Sequence, residues 1–406
     1  MNDSAANQRY RWIMLALLWL LYAAFGLVSR SIFPLVTPIL KDLSISYSQM
    51  GLILGSWQFT YILVALAAGA IIDQWGTHKS ILAGAFMIAL SATLRYFADG
   101  FAMMLLAVAL FGAGGPMISI GGPKTIAHWF AGRRRGTAIG VYTTGNWIGG
   151  LLALALTNSL VMPLAGNSWR LVFVIYGLSA FIAGLLWWVF AGGKKSAEAG
   201  ESFGMVEIFG RLIKIRKIKI LLIMALFSFA VSHGFGSWLP KILEINGLSA
   251  SRAGFAASLT IAAGIPAILL VPRRVRPKFR GRIIALFALL TSINLLLIVK
   301  MLGIPLYLGL VALGFISSPF MPLMLLIMMD SREVNPRYLG VAGGMFFCVA
   351  EIGGVTGPLI MGMLVDITGT FASGAIFLAA LCVAIAFLTL FLNTAQADSK
   401  RTGTKI

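Results

Sequence analysis

Apolar residues run along this chain in blocks of twenty or more, beginning at Trp12 and recurring almost to the end, with short polar breaks between them. A helix that crosses a bilayer needs about 20 apolar residues, so each block is long enough to span. Six spans are predicted in the first half: about Trp12 to Leu40, Gln49 to Ile72, Ser80 to Phe97, Phe101 to Trp129, Gly136 to Met162 and Leu171 to Phe190. Six more follow, about Ile220 to Leu243, Ala253 to Val271, Ile283 to Val299, Ile304 to Met329, Leu339 to Val365 and Phe371 to Leu392. The longest break, 192–219, is basic and reads as a linker between halves. Within it, Met205 to Ile218 alternates apolar and basic residues like a helix lying on the membrane surface. The expected organisation is a six-helix half over 1–191, the linker 192–219, a second six-helix half over 220–395, and a basic, disordered tail over 396–406.

The halves repeat one another. Arg133, Gly136, Ala138, Gly140, Ile148, Gly149 and Gly150 return 204 positions later as Arg337, Gly340, Ala342, Gly344, Ile352, Gly353 and Gly354. A weaker echo at a shift of 203 links Ser46-x-Ser48-x-x-Gly51 with Ser249-x-Ser251-x-x-Gly254. A repeat of half the chain length means two similar halves, not a short-period solenoid. In a membrane protein it suggests a transporter whose site lies between them. Among the positions that differ, one changes the chemistry of a span: where the first copy has Trp147, the second has Glu351.

Composition agrees with lipid as the solvent. The chain is 59% hydrophobic and 11% charged, against roughly 25% charged in a soluble domain. The fold class expected is all-α integral membrane: twelve transmembrane helices as two pseudo-symmetric six-helix bundles. The net charge of +19 does not mark a nucleic-acid binder, because of how it is distributed. With the N-terminus inside, 24 of the 32 Lys and Arg fall on the cytoplasmic side and 5 outside. This positive-inside bias places both termini in the cytoplasm. Cys348 and Cys382 lie in apolar helices and imply neither disulfide nor metal site. No cleavable signal is evident, since the first apolar run is too long for one. His78, His128 and His233 have no metal-like spacing and no nucleophile elbow is present, so neither an enzyme nor a cofactor is expected.

Charges inside spans then carry the chemistry. Arg30 is the only charge between Trp12 and Leu40, and an arginine at mid-bilayer costs about 2.5–3.5 kcal/mol on insertion scales. Its guanidinium stays ionised and offers a fork suited to carboxylate, phosphate or sulfate. The alternative is a structural pair with a buried carboxylate or with helix-end carbonyls. Glu351 is the only carboxylate deep in a span, about 21 Å along the helix from Arg337 at 1.5 Å per residue. Burial favours the neutral form of a carboxyl and a nearby cation the ionised form, so such a group can exchange a proton; the alternative is a permanent ion pair. His233 is also near mid-depth, as a substrate or proton group or as a neutral histidine bonded to a carbonyl. Lys124 and Arg95 lie nearer span ends and are expected to snorkel. Asn146, Gln58, Tyr61 and Tyr142 are polar groups expected to line the cavity.

Twelve spans in two halves, a basic central linker and a glycine–aspartate motif after the second span together resemble the major facilitator superfamily, over essentially the whole chain. Of the motif Gly-x-x-x-Asp-(Arg/Lys)-x-Gly-(Arg)-(Arg/Lys), the chain keeps Gly69, Asp73, Gly76 and Lys79, with Gln74 and Thr77 at the other basic positions. The resemblance implies a gating role for this loop. Gly357-Pro358, Gly362, Asp366 and Gly369 look like the usual ending of span 11 in that superfamily. Arg11-Trp12, Arg30, Ser46-x-x-Gln49-Met50-Gly51 and Trp238-x-Pro240 look like its anion:cation symporter branch, which commonly has Asp-Arg where this chain has Ser29-Arg30. Proton–drug antiporters usually show an arginine in span 4 and Gly-Pro in span 5, where Val108 and Gly145-Asn146 stand here. A fainter likeness, Gly145-Asn146-x-x-Gly149-Gly150, points to nitrate/nitrite porters, whose binding arginines in spans 2 and 8 have no counterpart. The resemblance implies a monomeric secondary transporter of the bacterial inner membrane, working by alternating access. The expected partners are a small organic anion, taken up with protons, and the lipid bilayer. An exporter of a toxic or metabolic anion and an inorganic-anion porter are the alternatives.

Overall fold

The computed structural model describes residues 5–192, 210–331, 334 and 339–402; for residues 5–9, 133, 339–340 and 393–402 only the backbone is described. The expected linker with Lys194 and Lys195 falls largely outside the described residues, as do Arg337 of the second repeat and the end of the tail. Among the described residues all regular structure is helical, and twelve helical segments are long and apolar enough to cross a membrane.

The first span is α1 (Ala5–Arg30) and α2 (Val36–Leu43), joined by a 3-10 turn at Phe33–Leu35. Next come α3 (Tyr47–Trp75), α4 (Thr77–Leu94), α5 (Phe101–Trp129), α6 (Gly132–Leu156) and α7 (Trp169–Phe190). The second half has α8 (Arg216–Ile245), α9 (Ala250–Arg274), α10 (Arg280–Ile298), α11 (Gly303–Ser317) with α12 (Phe320–Met329) as one span, α13 (Leu339–Thr368) and α14 (Phe371–Thr402). The backbone of α14 is helical as far as Thr402, whereas the sequence leads to disorder from 396 on. No glycine or proline interrupts Asn393 to Thr402, so nothing stops the helix where its apolar stretch ends.

The chain divides into two compact units. Unit 1 is Met1–Ile45, Ser56–Ala199 and Ser249–Ser258; unit 2 is Ser46–Gly55, Gly200–Leu248 and Leu259–Ile406. The units follow the two repeats, except that the first turns of α3 belong to unit 2 and those of α9 to unit 1. These are the two segments that carry the weaker sequence echo.

In unit 1, glycines bring α1 against α6. A Cβ on Gly145 would stand 2.7 Å from the Trp19 carbonyl oxygen, and one on Gly149 would overlap the Ala23 carbonyl. Small residues four apart thus let two backbones touch. Prolines end α1. Without an N–H, Pro34 and Pro38 cannot bond the carbonyls four residues earlier, those of Arg30 and Pro34. Asn158 Nδ2 answers one of them, donating to the Pro34 carbonyl at 2.9 Å. Asn158 lies in a π-helical turn, Thr157–Val161, that follows α6; its own carbonyl accepts from Ser251 Oγ at 3.0 Å, fastening the first turn of α9.

One lipid-interface expectation is corrected here. Arg95 does not snorkel: it is 1% exposed, donates to Ser91 Oγ at 3.3 Å and lies 5.0 Å from the Phe173 ring. The 3-10 turn Arg95–Phe97 at the end of α4 is where this side chain is buried. Lys124 is exposed near the end of α5 and pairs with the exposed Asp73 of the glycine–aspartate motif.

In unit 2, α8 and α13 meet by the same device, with Gly353 against the Leu226 carbonyl and Gly357 against that of Ala230. Trp238 Nε1 donates to the Pro358 carbonyl at 3.0 Å. The core gathers Leu221, Ile284, Met324, Phe346 and Ile385. The start of α3 is capped twice. Ser46 and Gln49 exchange bonds, Ser46 N to Gln49 Oε1 at 2.9 Å and Gln49 N to Ser46 Oγ at 3.2 Å, a capping box. Asp366 of α13 accepts from Tyr47 N at 3.0 Å, Ser48 N at 2.7 Å and Ser48 Oγ at 2.5 Å. Its charge also complements the positive end of the helix. Asp366→Ala is expected to cost about 1–2 kcal/mol, in the range of lost N-caps, read as a lowered melting temperature in detergent; an unchanged melting curve would show that the cap contributes nothing.

Candidate functional site

The sequence left Arg30 to meet a ligand, a buried carboxylate or helix-end carbonyls. In the structure Arg30 ends α1, at the proline-induced break, and its guanidinium is half-buried. Nη1 donates to Asn146 Oδ1 at 3.1 Å and, at 3.4 Å, to the Asn146 carbonyl. Both acceptors are neutral, and among the described residues no carboxylate pairs with Arg30. The charge is therefore oriented but not compensated. Asn146, expected to line the cavity, is the group that orients it.

Gly150 makes the room. A Cβ there would stand 2.5 Å from Arg30 Cδ, 2.8 Å from Nη1 and 2.9 Å from Nε. Gly149 serves backbone packing, whereas Gly150 serves the guanidinium, a distinction the Gly-Gly pair does not reveal by itself. Gly150→Ala is expected to weaken anion binding at least about tenfold while leaving the protein folded. In an Arg30→Ala background the same change should have no further effect on binding; additive losses in equilibrium-binding measurements would refute the coupling.

A chain of aromatic contacts runs through the same unit. Tyr22 stacks on Tyr142, with centroids 4.4 Å apart and rings 5° from parallel, and Tyr22 and Phe25 are 5.5 Å apart. Phe25 meets Trp57 edge-on at 6.2 Å, and Trp57 meets Tyr61 at 6.3 Å. Tyr61 Oη and Ser119 Oγ are hydrogen-bonded at 2.8 Å. Tyr142 is 1% exposed and donates to the Ile118 carbonyl at 2.8 Å, so its hydroxyl is committed and it shapes the wall through its ring. Gln58 is buried on α3. Tyr22 and Trp57 were not singled out from the sequence. Their signal was the helical spacing Tyr22-x-x-Phe25 and Trp57-x-x-x-Tyr61, which places aromatic rings on one face.

The residues of the glycine–aspartate motif lie in unit 1. Gly76 has φ +81°, a conformation that favours glycine, and its carbonyl accepts from Ser80 Oγ at 2.9 Å. Asp73 pairs with Lys124, Lys79 is exposed, and a Cβ on Gly69 would meet nothing within 4 Å.

Glu351 lies in unit 2 on α13, two residues before the glycine that packs on α8. It is 9% exposed, and its Oε2 has no hydrogen-bond partner among the described residues. No cation pairs with it there, so the permanent ion pair is not what the structure holds. His233, on α8, lies with its ring centroid 5.4 Å from Phe229, and Gly234 beside it faces Gly357 of α13. Among the described residues, unit 1 thus holds Arg30, a cation in a span without a carboxylate partner, and unit 2 holds Glu351, a carboxyl in a span without a cation partner.

Comparison with known proteins adds to this geometry. The family model described as Major Facilitator Superfamily matches residues 18–351. The chain is 26% identical over 406 residues to the hexuronate transporter of Bacillus subtilis (strain 168), covering 93% of each. It is 24% identical over 398 residues to the D-galactonate transporter of Escherichia coli O6:H1 (strain CFT073), covering 90% of each. Among solved structures, a bacterial homologue of the human lysosomal transporter Spinster, inward-facing and unoccupied, superposes with a TM-score of 0.77 at 18% identity, covering 97% of each chain.

Proposed function

This chain belongs to the major facilitator superfamily, and from that premise we propose that it takes up a small organic acid anion together with protons, by alternating access. It is a multi-pass membrane protein of a transporter family, not of an enzyme family. Its relatives include transporters named for hexuronate and D-galactonate, so sugar acids are the first substrates to test. The observation that carries the reading is Arg30, a half-buried cation in a span, held by the neutral Asn146 and met by no carboxylate among the described residues. Intramembrane charges that are not paired within the protein mark transport paths. A carboxylate on the substrate supplies the missing negative charge, and the Tyr22, Trp57 and Tyr61 rings offer flat faces and hydroxyls to the rest of a polyol acid. Glu351 is the proton carrier in this reading, with His233 a second polar group of unit 2. The protein resides as a monomer in the bacterial inner membrane with both termini cytoplasmic, the orientation that its Lys and Arg distribution supports.

The experiment is uptake by proteoliposomes across a panel of labelled hexuronates, aldonates, aldarates and short-chain carboxylates, with and without an inward proton gradient. Saturable uptake of at least one acid that rises with the gradient is the expected result. Uptake that ignores the gradient removes the proton from the reading; no uptake of any acid in the panel removes the organic anion.

A further inference from the structure

The loop joining α9 to α10 carries a basic pocket that the transport reading does not use. Two prolines shape it. Pro272 lies in the last turn of α9, and Pro277 opens a 3-10 turn, Pro277–Phe279, directly before α10. Arg276 between them is extended, with φ −61° and ψ 145°, as a residue before proline must be. The bend forms an open, shallow pocket of 540 Å³ lined by Arg274, Arg276, Arg282, Phe279, Ile283 and Leu286 among others. That volume falls within the roughly 300–1,000 Å³ of small-molecule sites.

Its charge is one-sided. Arg280, in the same loop, is buried and its charge is paired, Nη1 donating to Asp330 Oδ2 at 2.5 Å and to the Leu326 carbonyl at 3.2 Å. Arg274, Arg276 and Arg282 are exposed and meet no carboxylate among the described residues. The chain therefore pairs the one arginine that points inward and leaves three around the pocket. Beside them the wall is apolar: Phe279 is 37% and Leu286 50% exposed. Lys278 Nζ stands 4.9 Å and Arg282 Cζ 5.8 Å from the Phe279 ring centroid, both over the ring, so the cations lie against the apolar wall.

We propose that this pocket binds the phosphate of an anionic phospholipid headgroup. Guanidinium forks match phosphate oxygens in pairs. A soluble phosphate has no use for the exposed Phe279 and Leu286, whereas a lipid brings glycerol and acyl chains to them. Basic pockets between spanning helices on the cytoplasmic side bind such headgroups in general, and the positive-inside bias puts this loop on that side. The site is independent of Arg30 and Glu351.

Native mass spectrometry of the full chain in a neutral detergent tests it, with phosphatidylglycerol, phosphatidylcholine, glycerol phosphate and inorganic phosphate as probes. Phosphatidylglycerol is expected to be retained with at least about tenfold preference over phosphatidylcholine. The triple variant Arg274→Gln, Arg276→Gln, Arg282→Gln should lose that preference, and Arg252→Gln at the other end of α9 should keep it. Because removing loop charge can disturb insertion, the triple Arg→Lys variant serves as a second arm: it keeps the charge, loses the forks, and should lower the preference measurably. Equal retention by the parent and both triple variants overturns the proposal and leaves the arginines as insertion signals. Competition by glycerol phosphate or inorganic phosphate as effective as by the lipid overturns the lipid as the source.

Discussion

Arg30→Ala is expected to abolish saturable binding of the transported acid, with a loss of at least about 100-fold in apparent affinity, near 2.7 kcal/mol. A charge-assisted, two-pronged contact to a carboxylate in a poorly hydrated site accounts for a loss of that size. Stability should move little or even rise, because the guanidinium meets only the neutral Asn146 and an uncompensated cation in a span is itself costly. Arg30→Lys keeps the charge but not the fork, and should lie between, at about tenfold weaker binding. Equilibrium binding of the best-transported labelled acid, with a melting curve on the same samples, separates the two effects. An Arg30→Ala protein that binds like the parent ends the idea of an anion clamp. One that no longer melts cooperatively shows instead that Arg30 holds the break after α1 together.

How much of this was legible in the sequence depends on what kind of signal each feature leaves. The spans were legible because length and hydropathy are local: the fourth was expected at Phe101 to Trp129, and α5 has those bounds. The interruptions within spans were less so. Pro34 and Pro38 announce a break after α1, but that Asn158 would satisfy the Pro34 carbonyl depends on a partner 124 residues away. The weaker echo, Ser46 with Ser249, marks the helix starts that change unit, and Asp366 and Asn158 hold them. Repetition showed that the two segments do the same work, and only the contacts showed what the work is. Arg95 was misjudged because distance from a span end says that a side chain can reach the interface, yet an available neighbour, Phe173, decides whether it goes. Gly150 was hidden inside a Gly-Gly pair because a missing side chain carries no information about which atom needs the space.

The remaining prediction concerns Glu351 and rests on a position where the repeats differ in charge. The first repeat has Trp147 there; the second has a carboxyl that is 9% exposed, with one oxygen unpartnered and no cation beside it among the described residues. An ionised carboxylate so placed is expensive in a span, so its proton state follows its electrostatic surroundings. If a bound anion favours the protonated carboxyl, proton and substrate favour each other's binding, and the coupling is necessarily reciprocal. Glu351→Gln fixes the neutral form at nearly the same volume. It should therefore still bind the acid and still exchange labelled for unlabelled acid in counterflow. Accumulation driven by a pH gradient should be lost. For a monoanion carried with one proton, the parent can reach about tenfold accumulation per pH unit, since one unit is 1.36 kcal/mol, while the variant should stop at equal concentrations. Proteoliposomes measure both activities on one preparation. Should Glu351→Gln accumulate substrate as the parent does, the coupling proton is carried elsewhere; should it lose counterflow as well, Glu351 is needed for the conformational cycle itself and not for coupling alone.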